Sequence, residues 1–134
     1  MTNFKLALAL LPDTFAICRL EPDPEIPKWA CAGDFFSVIR TADELSIVCP
    51  QESVPATIRH EGNWRCLKVE GPLDFGLTGI LACLSTILAQ VGVGVLALST
   101  FDTDYLLVKE GEVEEATRAL SEAGHHVLQQ RADS

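Results

Sequence analysis

The spacing of apolar residues changes several times along this chain, and each change marks an element. The clearest stretch begins near residue 65, where an apolar run stops at Gly71-Pro72. Apolar residues at 77, 80, 81, 84, 88 and 91 then recur at the spacing of one helical face, and Gly92 stands where a helix ends. The β-branched run 93–98 predicts a strand that leads into a turn over 99–104 and a second strand over 105–109. After Gly111, three acids (Glu112, Glu114, Glu115) sit where a helix start favours negative charge, and Val113, Ala116, Leu120 and Ala123 form a second apolar stripe. Gly124 closes that helix and His126 to Leu128 predict a last short strand.

The order from 65 to 128 is therefore strand, helix, strand, strand, helix, strand. With right-handed crossovers this gives an α+β fold of ferredoxin-like type (βαββαβ), a four-stranded antiparallel sheet with both helices on one face. The first half repeats the outline. Leu6 to Leu11 and Phe15 to Leu20 predict two strands around a Pro-Asp turn, followed by a proline-rich stretch with one short helix near Ile26 to Ala30. Phe35 to Arg40 and Leu45 to Cys49 predict a hairpin across Thr41 to Glu44. Aligned without gaps, Val38 to Val48 falls on Leu98 to Val108 and sets Glu44 against Asp104. The expectation is two tandem units, 1–61 degenerate and 62–134 complete, joined through Pro50 to Asn63.

Strand direction places the chemistry. The loop after the first strand of the second unit and the turn at 99–104 fall at one end of the sheet, so Asp74, Asp102 and Asp104 share a rim with the unpaired N–H groups of the first helix near Gly76 to Gly79. Amide donors facing carboxylates suit a molecule carrying both charges, as a free amino acid does. The candidate ligand-binding set is Asp74, Phe75, Gly76, Leu77, Thr78 and Gly79 from the loop, with Ser99, Thr100, Phe101, Asp102, Thr103 and Asp104 from the turn. The plainer reading makes Asp74 an N-cap and the other two aspartates ordinary turn residues.

Glu70-Gly-Pro-Leu-Asp-Phe-Gly-Leu-Thr-Gly-Ile-Leu81 paired with Leu98-Ser-Thr-Phe-Asp-Thr-Asp-Tyr-Leu-Leu-Val108 resembles the ACT-domain branch that includes cytosolic arginine sensors of the CASTOR type and small bacterial relatives. The Trp29 segment and the run from Arg40 to Cys49 resemble the bacterial relatives too, so the likeness covers most of the chain. The resemblance implies ferredoxin-like regulatory modules that bind amino acids where two units meet, with the loop at 71–79 and the turn at 99–104 as the binding segments. The chain is far shorter than the arginine sensors, so their inter-domain pocket does not carry over whole.

A net charge of −9, from 10 basic and 19 acidic residues without a basic cluster, argues against a nucleic-acid partner. Five cysteines at 18, 31, 49, 66 and 83 are too widely spaced for a Cys-x-x-Cys metal pair and are expected to be reduced and mostly buried. The apolar run at Leu6 to Leu11 meets Pro12 and Asp13 at once, so it reads as a core strand and not as a signal peptide, and no stretch approaches the roughly 20 apolar residues of a membrane span. A cytoplasmic location without membrane association follows as the expectation.

Catalytic signatures fail on context. Gly92-Val-Gly94-Val-Leu-Ala97 has the letters of a dinucleotide fingerprint but precedes a strand where the fingerprint must follow one, and neither a phosphate-cradling Gly-Lys loop nor a Gly-x-Ser-x-Gly elbow occurs. His125 and His126 point to opposite faces of a strand and cannot chelate together, while Trp29 and Trp64 read as core or interface covers. Phe75 and Phe101 lie inside the two rim loops, where they either wall a pocket or fold inward. The expectation is a noncatalytic sensor without cofactor or resident metal, pairing as a homodimer or through its two halves. The alternatives are a divalent-cation site on Asp74, Asp102 and Asp104, and a protein-interaction module derived from the regulatory part of an amino-acid kinase.

Overall fold

The computed structural model describes residues 5–22, 25–70 and 79–129. In chain order the elements are β1 (Ala7–Leu20), β2 (Ser37–Arg40), β3 (Leu45–Pro50), β4 (His60–Val69), α1 (Ile80–Gln90), β5 (Leu96–Ser99), β6 (Asp104–Lys109), α2 (Val113–Glu122) and β7 (His126–Gln129). Two compact units result: residues up to Pro12 together with Arg65 onward, and Asp13 to Trp64. Among the described residues no helix is long and apolar enough to cross a membrane.

In the first of these units both helices cover one face of a mainly antiparallel sheet, as the ferredoxin-like class requires. Ile80, Leu84 and Leu88 of α1 recur at four-residue steps and are buried with Ala116 and Leu120 of α2. The sheet supplies Leu8 and Leu10 of β1, Leu67 and Val69 of β4, and Leu106 and Val108 of β6 by strand alternation. Truncating one such leucine to alanine costs about 2–5 kcal/mol.

The expected four strands become five. Ala7 to Leu10 run parallel to His126 to Gln129, and the Glu70 N–H donates to the Ala7 carbonyl at 2.8 Å. The order is then β7, β1, β4, β6, β5, with the chain's first strand between the first and last strands of the βαββαβ motif. The Pro-Asp turn expected at 12–13 does not form either. Pro12 and Asp13 lie exposed within a continuous β1, because proline's fixed φ suits an extended chain and its missing N–H removes only one ladder donor.

His125 fastens this insertion. Its ring is buried, Nδ1 accepts the Leu6 N–H at 3.1 Å, and the neighbouring His126 N–H donates to the Leu6 carbonyl at 2.8 Å. His126 itself is exposed, so the pair does face opposite ways. Accepting at Nδ1 places the ring proton on Nε2 and requires a neutral imidazole. Burial first, and the Lys5 charge second, hold the His125 pKa below its ordinary 6.5.

In the unit from Asp13 to Trp64, β1 pairs antiparallel with β3, from Phe15↔Pro50 to Leu20↔Leu45, and β2 pairs with β3 from Ser37↔Val48 to Arg40↔Leu45. Ala16, Cys18, Leu45, Ile47 and Cys49 form its core with Ala30, which lies in the short 3-10 turn Lys28–Cys31. Trp29 packs against this cluster, and Phe15 meets Phe35 edge to face at 5.4 Å. The start of β4 is fixed by Gln51, whose Oε1 accepts the Asn63 N–H at 2.6 Å. A Cβ on Gly62 would stand 2.6 Å from that same oxygen, so a larger residue there would push the Gln51 side chain aside.

All five cysteines are free thiols. Cys18 and Cys49 are buried against each other; burial foremost, with Cys49 adding, pushes the Cys18 thiol up to about 12. Burial raises the Cys66 thiol to about 12 as well. Native protein should therefore react rapidly with a thiol reagent at exposed Cys31, while Cys18, Cys49 and Cys66 react only on unfolding; mass mapping after a short pulse checks this. For His125 the unfolded chain takes the proton more readily than the folded one, so its stabilisation is complete above pH 6.5 and falls as acid is added below that value. A His125→Gln variant should show a flatter dependence of the urea midpoint on pH across that window than wild type.

Candidate functional site

The turn between β5 and β6 is built from its own side chains. Ser99 and Asp104 are the closing pair of the hairpin, and the Ser99 hydroxyl donates to Asp104 Oδ1 at 2.7 Å. Among the described residues the second carboxylate oxygen has no partner, so one face of Asp104 is held and the other is open. Within the turn the Thr100 N–H donates to the Thr103 carbonyl at 2.8 Å, and the Thr103 N–H donates back to Thr100 Oγ1 at 3.3 Å.

Thr103 turns inward. It is 5% exposed, and its hydroxyl donates to the carbonyl of Val69 at the end of β4. This bond joins the 99–104 turn to the point where the chain leaves β4, at the end of the sheet that strand direction assigns to the rim. The tip points the other way: Phe101 is 81% exposed and Asp102 is exposed beside it. Ser99, Thr100 and Asp104 are thus brought together, Phe101 and Asp102 crown them, and Thr103 anchors them.

The helix α1 opens at Gly79, whose φ of +82° is left-handed. Its carbonyl accepts the Cys83 N–H at 2.8 Å, and among the described residues no side chain caps the first helical N–H groups. Asp74, Phe75, Gly76, Leu77 and Thr78 lie outside the described residues. Among the described residues no three His, Cys, Asp or Glu side chains converge on a point fit for a metal ion.

The gap-free alignment of the halves is off by one residue. Arg40↔Leu45 corresponds to Ser99↔Asp104, an offset of 59, not 60. At that offset Thr41 matches Thr100 and Glu44 matches Thr103, and the bonding repeats: Thr41 N–H to Glu44 carbonyl at 2.9 Å, Glu44 N–H to Thr41 Oγ1 at 3.1 Å. Sequence reading missed this because it matched acidic side chains, whereas the turn is set by the threonine at its first position.

Residues 59–122 match the family model described as an ACT domain, and residues 13–57 match a second model described as an N-terminal domain. The crystal structure of protein Atu0741 from Agobacterium tumefaciens is 37% identical, with a TM-score of 0.91, each chain covering 98% of the other. A Vibrio cholerae protein of unknown function, described as a possible transport protein, superposes with a TM-score of 0.74 at 16% identity, covering 90% of this chain and 91% of its own. The regulatory subunit of aspartate kinase from Thermus flavus does so with a TM-score of 0.59 at 14% identity, covering 90% and 97%. No curated protein matches.

A Thr103→Val variant keeps the shape of the side chain and strands the Val69 carbonyl. Its urea midpoint should correspond to a loss of about 1–3 kcal/mol, and an unchanged midpoint would show that the turn is not tied to β4.

Proposed function

We propose, for a chain that belongs to the same family as the Agobacterium tumefaciens protein and carries an ACT domain over residues 59–122, that it is a noncatalytic regulatory protein whose ligand is a free amino acid. The observation that carries this is Asp104, a carboxylate fixed on one side by Ser99, on a turn that Thr103 ties to the end of β4. A restrained carboxylate loses little freedom when it meets a cation, which is what a selective site needs.

In this reading the open oxygen of Asp104 receives the ligand's cationic group. The N–H groups at the start of α1, with the loop carrying Asp74, Phe75, Gly76, Leu77, Thr78 and Gly79, receive the α-carboxylate. Phe101 covers the aliphatic part, and Asp102 adds a second negative charge at the mouth. The likeness of the fold to a regulatory subunit of aspartate kinase supports a regulatory purpose. The first half is read as a degenerate companion of the ACT domain, which the shared threonine turn supports. Pairing with a second copy, or of the two halves, completes the assembly; the finer kinship with cytosolic arginine sensors rests on the two sequence segments that resemble them. Free thiols suit a reducing compartment such as the cytoplasm.

The test is a melting-temperature screen of the full chain against the common amino acids and against calcium and magnesium. One amino acid at 100 times its dissociation constant should add about 2.7 kcal/mol to the folded state, and Asp104→Asn should abolish the response. A temperature raised by the metals alone, or an Asp104→Asn variant that responds as wild type does, would sink the assignment.

A further inference from the structure

A cleft of about 280 Å³ opens on the unit formed by Asp13 to Trp64, and none of the rim residues takes part in it. Its polar lining is Arg19 of β1, Glu44 and Ser46 at the head of β3, and Arg59, His60 and Glu61 where β4 begins. We propose that this cleft is a second small-molecule site, which takes a zwitterionic metabolite of amino-acid size with its carboxylate on Arg59 and its ammonium on Glu44.

The division of labour among the charged groups points to this. Arg19 is already committed: Nη1 donates to Glu21 at 3.0 Å, Nη2 to the Asp43 carbonyl at 3.0 Å, and its backbone N–H to the Arg59 carbonyl at 3.1 Å. It is a fixed wall. Among the described residues the Arg59 guanidinium and the Glu44 carboxylate have no partner, yet both face the same cleft. A planar guanidinium with its fork unoccupied matches a carboxylate in a bidentate pair. In a chain with 10 basic residues and a net charge of −9, a hollow lined by two arginines and two glutamates is locally balanced in charge, which suits a ligand that carries an anion and a cation together.

Geometry separates the two charges. β3 and β4 flank β1, and Arg19 faces Ser46 on one side and bonds to Arg59 on the other, so the backbones of Glu44 and Arg59 stand two strand spacings apart across the sheet and two residues apart along it, roughly 12 Å in all. Their side chains leave a short gap for a ligand charged at both ends. Glu44 also rests on a rigid base, because its N–H and carbonyl are both bonded to Thr41. Half-buried Ile17 adds an apolar patch for a short aliphatic stem. The volume falls below the roughly 300 Å³ where sites for drug-sized ligands begin, which suits a single amino acid and is too small for a nucleotide.

The experiment adds each common amino acid, and acetate separately, to isotope-labelled full chain and follows the backbone amide resonances. Arg59 is exposed and Glu44 half-exposed, so Arg59→Gln and Glu44→Gln fold, which equal melting temperatures without ligand verify. Expected are perturbations at 17–19, 44–46 and 59–61 with one amino acid, and affinity about tenfold or more weaker in each variant. Acetate binding as tightly as the amino acid would overturn the zwitterion. Perturbations confined to 99–104, or variants that bind as wild type does, would overturn the second site and leave the rim reading standing. Perturbations here without any at 99–104 would support it while removing the rim.

Discussion

Burial of two helical stripes against a single sheet face is the constraint on which the ACT-like unit depends. α1 spans eleven residues, has glycine for an N-cap, and carries no acid in its first turn or base in its last. Helices of fewer than roughly 12 residues are marginal in water by themselves. α1 therefore exists because Ile80, Leu84 and Leu88 are removed from water by Leu67, Val69, Leu106 and Val108. The same layer aligns β4 with β6, and only with that alignment do the Val69 carbonyl and the Thr103 hydroxyl meet. The place of the 99–104 turn is thus a consequence of the core: it is positioned by apolar packing some residues away and then fastened by one buried hydrogen bond.

Local patterning was enough to read the helices, both hairpins and the glycine stops, because each rests on periodicity or turn chemistry within a short window. Gly92 and Gly124, for instance, do end their helices with positive φ. The place of β1 was not legible. Its alternating leucines say that residues 6–10 are a half-buried strand, but nothing local says that the strand joins β7 rather than a neighbour in sequence. Pro12 misled for a related reason: as a local signal it reads as a turn, and only the finished ladder reveals that its missing N–H is tolerated.

At the candidate site the residue types were visible and their roles were not. Thr100 and Thr103 look alike in sequence, yet one shapes the turn while the other is buried beneath it. Asp104 and Asp102 also look alike, and the hairpin register alone singles out Asp104 as the partner of Ser99. In the other unit, Glu44 and Arg59 lead into strands that do not pair with each other, and they line one cleft because β1 runs between those strands. No window of sequence contains that relation.

The bond from Leu6 to His125 joins positions 119 residues apart. A growing polypeptide delivers one of these partners well before the other, an interval on the order of ten seconds at ordinary ribosome speeds. Throughout that interval Leu6, Leu8 and Leu10 have no β7 to lie beside, so they are available to chaperones or to other nascent chains. Closure of the sheet is thereby deferred until residue 129 has emerged, and such distant pairings form slowly even then.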